Sequence, residues 1–251
     1  ADTSSIYSDK NLSLNVDSSL NNNGTISAKN NLTILGDSII TNSKRIASNS
    51  DLNITANTLY NRPDATITSL NQALIISLIS DLTNYGNLNA ATDFNLTANG
   101  FDNSGTILAG NISAIDGSVV SLGNITINSG DNFTNSGNLQ STKNSDITSA
   151  VLNNSGVISA NNNFTAHSSS FTNSGNIYSK NDFNITNISD LANYGILYSD
   201  GSLIILSNNI TNNDSAWIYG NKDISIMTNL NLINDGNIQA ANDLTLITRN
   251  S

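Results

Sequence analysis

Apolar residues in this chain come in pairs two positions apart, separated by polar stretches, and the arrangement returns about every 20 residues. In Leu152-Asn-Asn-Ser-Gly-Val-Ile-Ser-Ala-Asn-Asn-Asn-Phe-Thr-Ala166 the pairs are Ile158/Ala160 and Phe164/Ala166. In Phe171-Thr-Asn-Ser-Gly-Asn-Ile-Tyr-Ser-Lys-Asn-Asp-Phe-Asn-Ile185 they are Ile177/Ser179 and Phe183/Ile185. Residues two apart share one face of a strand, so each unit predicts two short strands with these pairs turned inward. The same pairs recur as Ile26/Ala28 with Leu32/Ile34, Leu88/Ala90 with Phe94/Leu96, Leu197/Ser199 with Leu203/Ile205, and Ile238/Ala240 with Leu244/Leu246. A fixed period of this length with strand alternation inside it predicts an all-β solenoid, each unit one coil stacked on the last. About eleven coils are expected in a single parallel β-helix, right-handed by the general preference of parallel crossovers. We read residues 1–251 as one domain, with regular repeats over about 20–246 and a looped-out excursion at about 110–124.

Two features punctuate every unit. Asn-x-Gly stands before the first strand eight times, at Gly24, Gly86, Gly105, Gly137, Gly156, Gly175, Gly195 and Gly236. Glycine there predicts a sharp turn through positive φ. The asparagines two places earlier predict either an amide ladder from coil to coil or a local cap on each turn. Three coils depart from the pattern: Lys44 replaces the glycine in one, and Arg62-Pro63-Asp64 and Asp214-Ser215-Ala216 replace it in two longer turns. The second inward residue of the first strand is almost always Ala, Ser or Gly, which predicts a corner where two walls converge.

Composition agrees with this picture. Asn is the commonest residue at 48, and all 19 acidic residues are Asp. Asn, Asp, Ser and Gly favour turns, whereas helix surfaces draw on Glu, Lys and Ala. Regular Ile, Leu, Val and Phe with only 11% charged residues exclude a disordered chain. A net charge of −10 argues against nucleic acid or an anionic membrane as partner. With no cysteine there is no disulfide framework or thiolate metal site, as suits a chain threaded unfolded through a pore. Leu70 to Leu82, the most apolar stretch, is interrupted by Asn71, Gln72, Ser77, Ser80 and Asp81 and is no transmembrane span.

Catalytic chemistry is thinly represented. An enzyme on a β-helix needs paired carboxylates with a basic residue, or a carboxylate cage for a metal. Here Glu is absent and His167 is the only histidine, expected as a solvated turn residue. Asp51, Asp93, Asp182, Asp223 and Asp243 precede the second strand at a position shared with Asn, which reads as turn chemistry. Only Asp223 and Asp243 fall on adjacent coils where they could share a cation. No catalytic residue, metal or cofactor is therefore assigned. Asn-x-Ser/Thr recurs at Asn31, Asn95, Asn111, Asn124, Asn132, Asn163, Asn184 and Asn209, a triplet that the repeat generates by itself and that also matches a glycosylation acceptor. The candidate binding feature is aromatic: Tyr178, Tyr198 and Tyr219 occupy one outward position in three consecutive coils, with Trp217 on the same face. Such a column predicts either cross-strand stabilisation or a surface for sugar rings or a protein partner.

The pattern N-x-G-x-[IL]-x-[AS], followed four or five residues later by [LFI]-x-[IL], resembles the roughly 20-residue repeats of filamentous haemagglutinins and related two-partner secretion exoproteins, which include contact-dependent growth inhibition toxins. It covers nearly the whole chain. The resemblance implies a β-helical shaft secreted to the surface of a Gram-negative bacterium through an outer-membrane transporter, serving adhesion or the display of a distal toxin. Asn-Pro motifs of that family's secretion domain are absent, Pro63 being the only proline, so the chain reads as part of a shaft. The rival readings are a glycan-binding adhesin domain, with a cell-surface receptor or glycan as partner, and a polysaccharide-acting enzyme.

Overall fold

Each coil bends into three short strands rather than two. In the computed structural model, which describes residues 4–113 and 118–249, one coil runs through Thr25–Ala28, Leu32–Gly36 and Ile39–Asn42. First strands stack on first strands, in parallel, so that Ile26 meets Ile46, which meets Ile67, which meets Leu88. Twelve of them, from Ser5–Ser8 to Asn237–Ala240, follow one another across the first sheet. Second and third strands make the other sheet, and in later coils they run together, as in Phe164–Asn173 and Leu203–Asn212. The result is a parallel β-solenoid one coil longer than the repeat count, because Ser5–Ser8 and Leu12–Val16 stack on the next coil in the same registers. At the usual inter-strand spacing the stack is about 50 Å long.

The core is a set of columns along this axis. Inward residues of the first two strands are buried as the alternation predicts: Ile26, Leu88, Ile158 and Ile177 in the first, Leu32, Ile34, Phe94 and Phe164 in the second. The third strand adds a column that the two-strand reading lacks, formed by Ile40, Leu59, Leu82, Phe101, Phe133, Leu152, Phe171, Leu191 and Ile210. Phe101 stacks on Phe133 with centroids 4.9 Å apart, and Phe164 meets Phe183 edge-on at 4.8 Å. The small-residue column lies at the corner between first and second strands. Its serines do more than fit, since Ser179 Oγ donates to the carbonyls of Asn162 and Asp182 at 2.8 and 2.9 Å, satisfying turn oxygens that packing has cut off from water.

The asparagine ladder is real, and most of its members also cap their own turn. Asn22, Asn42, Asn61, Asn84, Asn103, Asn135, Asn154, Asn173, Asn193, Asn212 and Asn234 are joined by ten side-chain bonds, each Nδ2 donating to the Oδ1 of the next coil at 2.7–2.9 Å. The same amide donates to a carbonyl of its own turn, as Asn154 does to Gly156 at 3.2 Å and Asn173 to Gly175 at 3.1 Å. The ladder passes through the three coils that lack the glycine, so the amide is the more constant of the two features.

The glycines act by a different cause from the one expected. None of the eight has positive φ; among the described residues Gly110 is the glycine that does. What excludes a side chain is the coil beneath. A Cβ on Gly105, Gly137, Gly156, Gly175 or Gly195 would stand 2.0–2.1 Å from the carbonyl oxygen of the preceding coil's glycine. Backbone must come this close because each turn bonds to the one below, as Val157 N–H does to the Gly137 carbonyl at 2.9 Å. Where Lys44 replaces the glycine the corresponding bond, Arg45 N–H to the Gly24 carbonyl, is 3.2 Å. The two longer turns carry the positive φ instead, at Asp64 (63°) and Ser215 (64°), each closed by a bond from Ala65 to Arg62 or from Ala216 to Asn213. The excursion is a β-hairpin: Thr106–Ile112 runs past its coil and Val119–Leu122 returns antiparallel to it.

Two substitutions separate these effects. Asn154→Ala leaves the Asn135 amide and the Asn173 oxygen without their ladder partners, for an expected cost of about 2–4 kcal/mol. Gly156→Ala forces coils apart and is expected to cost about 1–3 kcal/mol. Ser155→Ala, between them but exposed, should leave the denaturation midpoint within experimental scatter. Equal midpoints for all three variants would show that neither ladder nor close approach holds the coils.

Candidate functional site

Tyr178, Tyr198 and Tyr219 lie on first strands Asn176–Ser179, Ile196–Ser199 and Trp217–Gly220, directly in register. Their rings stack at 5.3 and 5.1 Å with interplanar angles of 18° and 11°. The column predicted from spacing is therefore formed, and its inner ring faces cover one another. Trp217 stands two residues before Tyr219 on the same side and is exposed. Ile196 pairs with Trp217 one coil earlier, and Ile196, Tyr198, Trp217 and Tyr219 line a shallow, almost wholly apolar cleft of about 320 Å³.

Asp200 organises the column, and sequence reasoning missed it. It sits two residues beyond Tyr198, and its carboxylate accepts from Tyr178 Oη and Tyr198 Oη, both at 2.6 Å. One carboxylate thus bridges two coils. Partial burial, then the Asp200 bond, pushes the Tyr178 phenol up to about 12; for Tyr198 the Asp200 bond comes first and burial second, again to about 12. The bonds from Tyr178 and Tyr198 hold the Asp200 carboxyl below its ordinary 3.8, with Lys180 adding to the effect. Tyr219 bonds instead to Asn221 Oδ1, at 3.4 Å. The signal available in sequence was an Asp two places after an outward Tyr, which gives a reachable partner but not its choice of two rings.

The other candidate chemistry resolves into structure. Asp51, Asp93, Asp182 and Asp223 each accept a backbone N–H from the next coil, on Ala73, Asn124, Ser202 and Asp243, at 2.8–3.2 Å. Asn11, Asn144 and Asn163 make the same contact, which explains why Asn and Asp alternate there. Asp223 and Asp243 are coupled in this way, and among the described residues no group of three or more Asp or His side chains is placed to hold a metal. His167 is exposed but lies within strand Phe164–Asn173 rather than in a turn; the strand runs on because second and third strands merge in that coil. Of the acceptor-like triplets, Asn31 and Asn111 are exposed, whereas Asn124 and Asn209 are bonded to Asp93 and Asp190. Among the described residues no helix is long and apolar enough to cross a membrane.

A stack of coils in one register, closed by an internal amide ladder and carrying a tyrosine column on its first sheet, defines a parallel β-solenoid. The chain belongs to the haemagglutinin repeat family, whose model matches residues 8–74, 65–137, 109–168, 157–239 and 217–251. No curated protein and no solved structure matches it.

The phenol shifts fix a pH dependence. Both tyrosine values are raised above 10.0, so their stabilising contribution is whole below pH 10 and lost as pH climbs toward about 12. The Asp200 value is lowered, so its contribution is present above pH 3.8 and lost as pH falls below it. Ultraviolet titration of the parent should show two phenols ionising near pH 12 that move toward 10 in Asp200→Asn. An unchanged titration in that variant would mean that Asp200 does not hold the rings.

Proposed function

We infer that this chain is a rigid shaft segment of a large secreted bacterial surface exoprotein, exported by a two-partner route through an outer-membrane transporter, and that it carries an adhesive or toxic region away from the cell. The observation behind this is the unbroken stack. First strands follow in parallel from Ser5 to Ala240, and the amide ladder runs through ten consecutive coil junctions. Family membership supports the same reading, since haemagglutinin repeats build adhesin-type shafts. A second reading, lateral binding by the shaft itself, draws on the apolar cleft at Ile196, Tyr198, Trp217 and Tyr219.

Deleting whole coils tells the two apart. Removing residues 25–44 joins Gly24 to Arg45 and takes out a plain coil, whereas removing 196–216 joins Gly195 to Trp217 and takes out the coil that carries Ile196 and Tyr198. Each deletion should preserve the β-sheet circular dichroism and shorten the rod by about 4.8 Å. In the surface-displayed protein a spacer tolerates either deletion equally, with attachment to host or neighbouring cells changing only as reach is lost. Attachment lost with 196–216 and kept with 25–44 would replace the spacer reading by lateral binding.

A further inference from the structure

Two departures from the repeat meet on one flank of the first sheet, and a plain spacer requires neither. One is the hairpin of Thr106–Ile112 and Val119–Leu122; the other is the tyrosine column. The hairpin is clamped in place. Thr142 Oγ1 donates to the Ser121 carbonyl at 2.9 Å and accepts from Gly123 N–H at 2.8 Å, while Ser121 Oγ donates to the Ala91 carbonyl at 2.5 Å. Gly110 allows the departure: its φ is +83°, and a Cβ there would lie 1.8 Å from Thr142 Oγ1.

Held in this way, Ile112 and Val119 form one wall of a cleft of about 320 Å³, with Gln140, Thr142, Asn161 and Lys180 facing them. Gln140 and Asn161 also line an adjoining notch of about 160 Å³ beneath Tyr178, with Ser159 beside them. Ser159 pairs with Tyr178 in register, one coil before it. Tyr198 is stacked on both sides, but Tyr178 has a ring partner only on the side of Tyr198. Small Ser159 therefore leaves the second face of the Tyr178 ring open toward the notch. The ring is already oriented, because its hydroxyl is fixed on Asp200 at 2.6 Å.

Three side chains around this face keep their hydrogen-bonding groups free of the fold, although Lys180 also acts on the Asp200 carboxylate through its charge. Gln140 and Asn161 side-chain amides and the Lys180 ammonium make no hydrogen bond among the described residues, although of the next residues along Asn181 donates to Asn162 and Asn162 to Asn144. An open aromatic face beside converging, unpartnered amide groups suits a ligand that is apolar on one side and rich in hydroxyls at its edge.

We propose that this cleft binds a pyranose ring of a glycan, its C–H face on Tyr178 and its hydroxyls on Gln140, Asn161 and Lys180, with Val119 closing the far side. The binding does not depend on the shaft reading, nor on the apolar cleft at Trp217. Fixed orientation of the ring lowers the ordering cost of binding a small ligand.

Saturation-transfer NMR on the intact 251-residue chain tests it. The probes are the methyl glycosides of glucose, galactose, mannose and N-acetylglucosamine, each at about 10 mM, a concentration suited to the millimolar affinity of a single sugar. Transfer to the ring C–H protons of at least one glycoside is expected. Tyr178→Ala and Gln140→Ala should each weaken it by about tenfold, the loss of one ring contact or one hydrogen-bonded group. Tyr219→Ala, at the other end of the column, should leave it within about twofold, by additivity of distant sites. Should Tyr178→Ala disturb the circular dichroism, Gln140→Ala decides alone, since Gln140 is an outward, half-buried position of its strand. Absence of transfer to all four glycosides, transfer undiminished in Gln140→Ala, or an equal loss in Tyr219→Ala would each overturn the proposal.

Discussion

Everything in this structure depends on neighbouring coils meeting at one register, and the buried asparagine ladder is what makes any other register costly. A parallel sheet slipped by two residues would still place apolar side chains inside, because the alternation is preserved. The amides are less forgiving. Asn42, Asn61, Asn84, Asn135, Asn173, Asn193 and Asn212 are fully buried, so each donor and acceptor must find its partner within the core. Only one stacking brings Nδ2 of one coil to Oδ1 of the next while the same group caps its own turn. Apolar columns supply the bulk of the stabilisation; the ladder selects which stack they form.

The glycines follow from the same constraint. With register fixed, turn backbones of successive coils lie directly over one another, and a carbonyl of one occupies the space where a Cβ of the next would stand. The motif read in sequence as a demand for positive φ is thus a demand for absence of side chain. Physical requirements of this kind are indistinguishable in one sequence, since both are met by glycine. The exceptions separate them: where a turn is two residues longer, Asp64 and Ser215 take the left-handed conformation and the stacked glycine is dispensed with.

Periodicity made most of the fold legible because in a solenoid an offset of one period in sequence is an adjacent position in space. Ile158 and Ile177, or Tyr178 and Tyr198, could be placed side by side from spacing alone, and they are. The third strand was hidden for an equally physical reason. Its inward positions are one apolar residue and one asparagine, as in Phe171 and Asn173, and a buried asparagine does not announce itself as core. Asp200 was hidden because its role depends on which way a turn side chain leans. Extra length before Ile125 was plain, but the direction of the hairpin was not, since that is set by Thr142 and Ser121, residues with no periodic signature.

A repeat that stacks this regularly also sharpens what counts as a functional signal. In most coils the outward face of the first strand carries small or polar residues such as Ser27, Asn89, Gln140 and Ser159, which suffice to solvate a rod. Against that background the tyrosines, Asp200 and the hairpin are not required by stacking. Cross-strand stabilisation accounts for stacked rings in the middle of a column, where each face is covered. It does not account for the open face at the Tyr178 end, which has the unbonded Gln140 and Asn161 amides beside it. Where unbonded amides and an open aromatic face are exposed together, an external partner has something to replace.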